Sequence, residues 1–177
     1  MPSPDAGRHP LTPEEYYASR PPVFVAAGVL LRSAAGDVLL VKPTYEPRWV
    51  IPGGAQEAGE SPRQTARREV REELGLDREP GGLLCVDFVP ATATRLIPGV
   101  VYLFGGGPLS AQEAGAVRLP PGELSEHRFV RPADLADHIG GLLLRRVRAG
   151  LAVGRSGVPV DLEDGRPAGG NRRGFGA

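Results

Sequence analysis

The stretch from Ser61 to Gly75, Ser-Pro-Arg-Gln-Thr-Ala-Arg-Arg-Glu-Val-Arg-Glu-Glu-Leu-Gly, constrains the fold more than any other part of the chain. Ser61 is a helix cap, Pro62 suits a first helical position, and Gln64 completes a Ser-x-x-Gln capping box. Gly75 is placed to end the helix in the left-handed conformation. At about 100° per residue, Ala66, Val70 and Leu74 share a narrow apolar stripe that needs a partner surface. Glu69, Glu72 and Glu73 fill the adjacent stripe. Like charges at i,i+4 cost roughly 0.2–0.5 kcal/mol per exposed pair, and the helix dipole disfavours acids in the last turns. A hard divalent cation offsets both penalties. Arg63, Arg67, Arg68 and Arg71 interleave with the acids, so a solvated, ion-paired face explains them equally well when they are taken alone.

The rest of the chain reads as strands and helices around this element. Val23–Leu31 is a largely buried strand and Val38–Lys42 pairs back on it through a turn at Ala35-Gly-Asp37. Trp49–Ile51 is a short extended piece leading to Pro52-Gly-Gly54. Further strands are expected at Leu83–Val89, Val100–Phe104 and Glu126–Val130, with Gly105–Pro108 a turn. Pro132 opens a short helix, and Leu142–Ala152 forms the last one. Leu143, Leu144, Val147 and Leu151 share a face of that helix, and Arg145, Arg146 and Arg148 lie mostly off it. Hairpins in place of regular βαβ repeats give an α/β fold, a mixed sheet between helices.

Gly (25) and Pro (19) cluster at the ends and between elements. Residues 1–20 read as a flexible segment in which Pro13–Ala18 can form a helical turn. Residues 21–153 form the domain. The Gly/Arg/Pro-rich tail, 154–177, has too few apolar residues to order fully, although Val158–Leu162 can lay a short strand against the domain or a second copy.

A chain of 177 residues with 41% apolar and 24% charged residues is ordinary for a globular protein. Lys plus Arg equals Asp plus Glu at 21 each, which points to no nucleic-acid partner. No run of apolar residues is long enough to span a membrane, the N-terminus does not read as a signal peptide, and the lone Cys85 allows no internal disulfide. The expected location is the cytoplasm, with a homodimer left open. His9, His127 and His138 have no metal-ligand spacing and no link to Cys85.

From Gly54 to Leu76 the chain carries Gly-x5-Glu-x7-Arg-Glu-Val-x-Glu-Glu-x-Gly-Leu, through Gly54, Glu60, Arg68, Glu69, Val70, Glu72, Glu73, Gly75 and Leu76. This resembles the box of the Nudix hydrolases at every defined position, and Trp49-x-x-Pro-Gly-Gly54 resembles the usual approach to it. The resemblance covers about Val23 to Ala152. It implies a Mg²⁺-dependent (or Mn²⁺-dependent) hydrolase of phosphoanhydride bonds. Glu72, Glu73 and the carbonyl near Gly54 are then the metal ligands, and Glu69 is a further ligand or the base that orients water. Arg68 and Glu60 pair to fix the loop. Members often add an acid from a later segment, and Glu123 and Glu126 are the candidates.

The substrate implied is a nucleoside diphosphate linked to another group. Pro90, at about the distance where ADP-ribose-type members carry a proline, tilts the choice toward ADP-ribose or a nucleotide sugar. A nucleoside triphosphate pyrophosphatase that removes damaged nucleotides is the alternative. A non-catalytic nucleotide sensor is a third, against which the intact box argues. Tyr45, Arg48, Trp49, Phe88, Arg95 and Tyr102 are candidates for holding base or phosphate, with core or rim packing the plainer role for each.

Overall fold

A computed structural model describes residues 11–169, and the fold is the expected mixed sheet between helices. The elements are α1 (Pro13–Ala18), β1 (Phe24–Arg32), β2 (Val38–Pro43), β3 (Gly53–Ala55), α2 (Pro62–Leu74), β4 (Leu83–Val89), β5 (Gly99–Pro108), α3 (Ala111–Ala116), β6 (Leu124–Val130), α4 (Gly141–Ser156), β7 (Val160–Glu163) and β8 (Arg166–Pro167), with a 3-10 turn at Leu135–Asp137. The strand order is β6-β2-β1-β5-β4-β7-β8. The β1–β5 and β4–β7 pairs are parallel, and the other pairs antiparallel.

β1 and β2 pair only at Arg32 and Val38. Their other ends part, and residues 50–56 fill the gap. Val50 bridges to Val41, and β3 pairs with Ala26–Gly28 of β1. This inserted strand carries Gly53 and Gly54 into the middle of the sheet.

Alternation along β1 explains the two layers. Ala27, Val29 and Leu31 join Leu39 and Val41 against Ala66, Val70 and Leu74 of α2, the stripe read from the sequence. Leu30 faces the other way, with Val38, Leu40 and Leu103 packing toward Val147 of α4. Each fully buried Leu or Val contributes about 1.5–3 kcal/mol. This strong burial on both faces explains why β1 reads as one continuous apolar run.

Three expectations change. Gly105–Gly107 is not a turn but part of β5, because the last residues of β1 keep pairing with it across a bulge. A Cβ on Gly106 would lie 2.4 Å from Leu31 Cδ2, so only glycine lets the strands approach there. A capped helix, α3, follows, with Ser110 and Glu113 forming its capping box. The last helix runs past its expected end at Ala152. α4 continues to Ser156, and β7 docks in parallel on β4 with Leu162 fully buried. β7 is the short strand that Val158–Leu162 was able to lay against the domain, and Leu162 is its core residue. Residues 1–10 and 170–177, with His9 and the tail arginines Arg172 and Arg173, lie outside the described residues.

Candidate active site

α2 forms as its caps dictate. Ser61 accepts from the Gln64 amide and Gln64 returns the bond, while Gly75 ends the helix at φ 69°. The helix lies across β3, so its acids meet the two glycines of that strand.

Glu73 Oε2 accepts the Gly53 amide at 2.9 Å. Burial pushes the Glu73 carboxyl up to about 8, the carboxylates of Glu69, Glu123 and Glu72 add to this, and the Gly53 amide opposes it. Glu69 lies against Gly54 so closely that a Cβ there would fall 2.3 Å from Oε1. Its carboxyl is raised by burial and pulled back by Arg68. Glu72 is half exposed.

Arg68 joins the loop to the helix. Its Nε donates to Glu60 Oε1 at 2.8 Å and its Nη2 to the Ala55 carbonyl at 3.0 Å. Its Nη1 donates to Glu69 Oε1 and Glu72 Oε2, both at 2.9 Å. Glu60 also accepts from Thr65 Oγ1 and the Glu57 amide. The Arg68 guanidinium holds the Glu60 carboxyl down at about 2.

Gly54, Glu60, Arg68, Glu69, Glu72 and Glu73 thus come together where β3 crosses α2. Of the two later acids, Glu123 is the one whose charge reaches them. Its carboxylate acts on Glu69, Glu73 and Tyr45, and its carbonyl accepts the Thr44 amide at 2.9 Å. Glu126 does not. It faces out from β6 beside Arg128, 3.6 Å away.

Among the described residues, no three acidic, histidine or cysteine side chains form a ready-made metal cage. Arg68 lies between Glu69 and Glu72 and draws their oxygens to itself. The donor set still fits a hard divalent cation. Glu73 is buried with its carboxyl pushed up to about 8, the carboxylates of Glu69, Glu123 and Glu72 adding to the rise, and carboxylate and carbonyl oxygens are the donors such a cation takes. Thiol and imidazole chemistry has no support here. Burial pushes Cys85 up to about 12, and His138 packs edge-on against Trp49.

Behind β3 opens a cavity of about 490 Å³ between Ala26–Gly28, Trp49–Gly54, Val101–Leu103 and the start of α4. Of the substrate candidates, Arg48, Trp49 and Tyr102 line it. Tyr45 is exposed, with its phenol within the field of Glu73 and Glu123. Phe88 is exposed on β4, and Arg95 turns back to the Pro90 carbonyl at 2.7 Å.

Sequence reasoning missed Asp87 and Arg146. Arg146 lines the cavity and donates to Asp87 Oδ2 from Nε at 3.0 Å and Nη2 at 2.7 Å. The signal was a lone acid in the apolar strand Leu-Leu-Cys-Val-Asp-Phe-Val, since a fully buried carboxylate requires a partner.

The NUDIX domain family model matches residues 22–148. Over 119 residues the chain is 34% identical to "Putative 8-oxo-dGTP diphosphatase 2" of Mycobacterium tuberculosis, covering 63% of this chain and 82% of that protein. Over 50 residues it is 43% identical to "Putative ADP-ribose pyrophosphatase YjhB" of Bacillus subtilis, covering 28% of this chain but only 24% of that protein. The MutT protein of Methanosarcina mazei Go1 superposes with a TM-score of 0.61 at 22% identity, over 77% of this chain and 96% of that one.

Proposed function

The chain belongs to the NUDIX domain family, and on that footing we propose that it hydrolyses a phosphoanhydride bond in a nucleoside diphosphate linked to a further group, of the ADP-ribose or nucleotide-sugar kind. The observation that carries this reading is the junction of α2 and β3. Glu73 is bonded to Gly53 and Glu69 is pressed on Gly54, while both glycines also line the cavity. Acids and cavity therefore share one thin strand, so a ligand seated in the cavity presents its phosphates to the acids.

The residues that would hold Mg²⁺ or Mn²⁺ are Glu69, Glu72, Glu73 and the Gly54 carbonyl. A divalent ion bound there supplies charge neutralisation on the phosphates and a lowered pKa for the attacking water. The chain's own part is placement. Gly53 fixes the Glu73 carboxyl, and Arg68 and Glu60 hold the loop that carries Gly54. A Glu69 oxygen not engaged as a ligand accepts the proton of the attacking water. Glu123 adds a further carboxylate at the rim.

The alternative, a nucleoside triphosphate pyrophosphatase that removes damaged nucleotides, is favoured by one specific observation. The 34% identity to the 8-oxo-dGTP diphosphatase homologue runs through 82% of that protein, whereas the likeness to the ADP-ribose pyrophosphatase homologue is confined to 50 residues.

Product analysis over ADP-ribose, UDP-sugars and nucleoside triphosphates with Mg²⁺, using Glu72→Gln as the blank, tests both. Fastest turnover of ADP-ribose or a nucleotide sugar supports the first reading, and fastest release of pyrophosphate from a triphosphate supports the second. No turnover of any nucleotide, or equal turnover by Glu72→Gln, overturns both.

A further inference from the structure

The cavity's one buried charged group, Arg146, is paired with Asp87, and Asp87 is fixed in turn by a segment beyond the part of the chain that matches the family model, which ends at residue 148. Asp87, at 0% exposure, takes both Arg146 bonds on Oδ2 and accepts the Gly165 amide on Oδ1 at 2.9 Å. Gly165 sits at the turn of the β7–β8 hairpin. The same turn is fastened again from α4, where Arg145 Nη2 donates to the Asp164 carbonyl at 2.8 Å. Leu162 anchors the hairpin in the core, and β7 pairs with the strand that carries Asp87.

We propose that this C-terminal hairpin is part of the ligand site: through Asp87 it holds the Arg146 guanidinium at the cavity wall, where Arg146 donates to an acceptor on a planar heterocycle of the ligand. The inference rests on the nucleotide reading above and names the part of the nucleotide the cavity takes.

The chemistry separates a heterocycle from a phosphate. Asp87 already neutralises Arg146, so the pair offers directed N–H donors and no net positive charge. A neutral carbonyl or ring nitrogen suits such a donor, and a phosphate calls for more cation. Arg48 and Glu46, of opposite charge and exposed, also line it, and the rest of the wall is apolar and partly aromatic, with Trp49, Ile51, Tyr102 and Leu103, a surface for stacking a flat ring. Asp87 is then a positioning residue, and Arg146 makes the contact.

Trp49 is the chain's single tryptophan and lines the cavity, so its emission reports binding there. Guanosine, adenosine, cytidine and uridine 5′-monophosphates are titrated without metal, with ribose 5-phosphate as the probe lacking a base. At least one monophosphate binds the wild-type chain more tightly than ribose 5-phosphate does. Asp87→Asn and Arg146→Lys remove most of that advantage, about 10- to 100-fold in Kd, and leave ribose 5-phosphate binding as it was. Leu162→Ala, which loosens the core anchor of the hairpin that holds Asp87, lowers the melting point and costs part of the same advantage, again with ribose 5-phosphate binding as it was. Should Asp87→Asn fail to fold, Arg146→Lys decides, since it keeps the charge but not the fork of donors.

The proposal is overturned if no monophosphate outbinds ribose 5-phosphate, or if Arg146→Lys keeps the wild-type advantage. Mg²⁺-dependent hydrolysis is scored separately. Base-dependent binding without turnover would refute the activity and leave this site standing, and turnover without base dependence would do the reverse.

Discussion

Glu73 Oε2 accepts the backbone amide of Gly53 at 2.9 Å, tying the last turn of α2 to the first residue of β3. A helix that carries three acids at its disfavoured end is thereby locked to the strand inserted between β1 and β2. The same contact places one carboxylate between the chemistry in front of β3 and the cavity behind it.

Gly54 is the tightest point of that arrangement. Gly54→Ala puts a methyl where Glu69 Oε1 now lies, so the carboxylate must swing away. Displacement of a reacting group by about 1 Å can cost about 100-fold, and a fall of that size in kcat/KM is expected with the melting point nearly kept. Wild-type turnover in this variant would remove Glu69 from the machinery.

Arg68 contacts Glu60, Glu69, Glu72 and the Ala55 carbonyl, so its guanidinium ties the loop to three acids. Arg68→Ala is expected to weaken Mg²⁺ activation about 10–100-fold while saturating metal restores much of kcat. Rate titrated against Mg²⁺ measures this. An unchanged midpoint would show that the acids hold their places unaided.

Away from the site, Glu113 reports on the fold. The Ser110 amide and hydroxyl, with Arg78, hold its carboxyl down at about 2 against 4.5. A depressed carboxylate stabilises the folded state above its unfolded pKa, and that contribution fades as pH falls from about 4.5 through about 2. The melting-point gap between wild type and Glu113→Gln should therefore be widest above pH 5 and close toward pH 2. A gap that stays constant with pH would mean the carboxylate is not held as described.

The core and the acids were legible for the same reason: both are periodic. The Ala66-Val70-Leu74 stripe and the Glu69-Glu72-Glu73 stripe follow from 100° steps, and the caps at Ser61 and Gly75 mark where the steps start and stop. Gly105–Pro108 was misread because a glycine run signals a turn, while here glycine admits Leu31 of the neighbouring strand. The joint role of Asp87 and Arg146 was illegible because the partners lie far apart along the chain. A pair separated by 59 residues leaves no local pattern.

The hairpin's weight can be measured by stopping the chain. Ending it after Gly169 keeps β7, β8 and the Ala168 amide bond to the Asp161 carbonyl, and stability is expected to hold. Ending it after Gly157 exposes the Leu162 site, worth about 1.5–3 kcal/mol, and strips Asp87 of its amide donor, about 1–3 kcal/mol more. Chemical denaturation of both forms gives the difference. Equal stability would mean that β7 adds nothing to the sheet.

Glu123 and Glu126 separate contact from proximity in sequence. Both were candidates for an extra acid, three residues apart, yet only Glu123 acts on Glu69 and Glu73. Glu126 lies on β6 opposite Lys42 and beside Arg128. Exposed ion pairs of that kind contribute little, about 0–1 kcal/mol, so Glu126→Gln should leave both rate and stability unchanged. Glu123→Gln removes one negative charge from the rim of the acid cluster. That change should weaken Mg²⁺ activation about tenfold if Glu123 helps hold the ion or its water, with the fold untouched because its backbone bond to Thr44 remains. Parallel Mg²⁺ titrations of the two variants decide. A loss in Glu126→Gln with none in Glu123→Gln would reverse the assignment and place the extra acid on the strand, not on the turn before it.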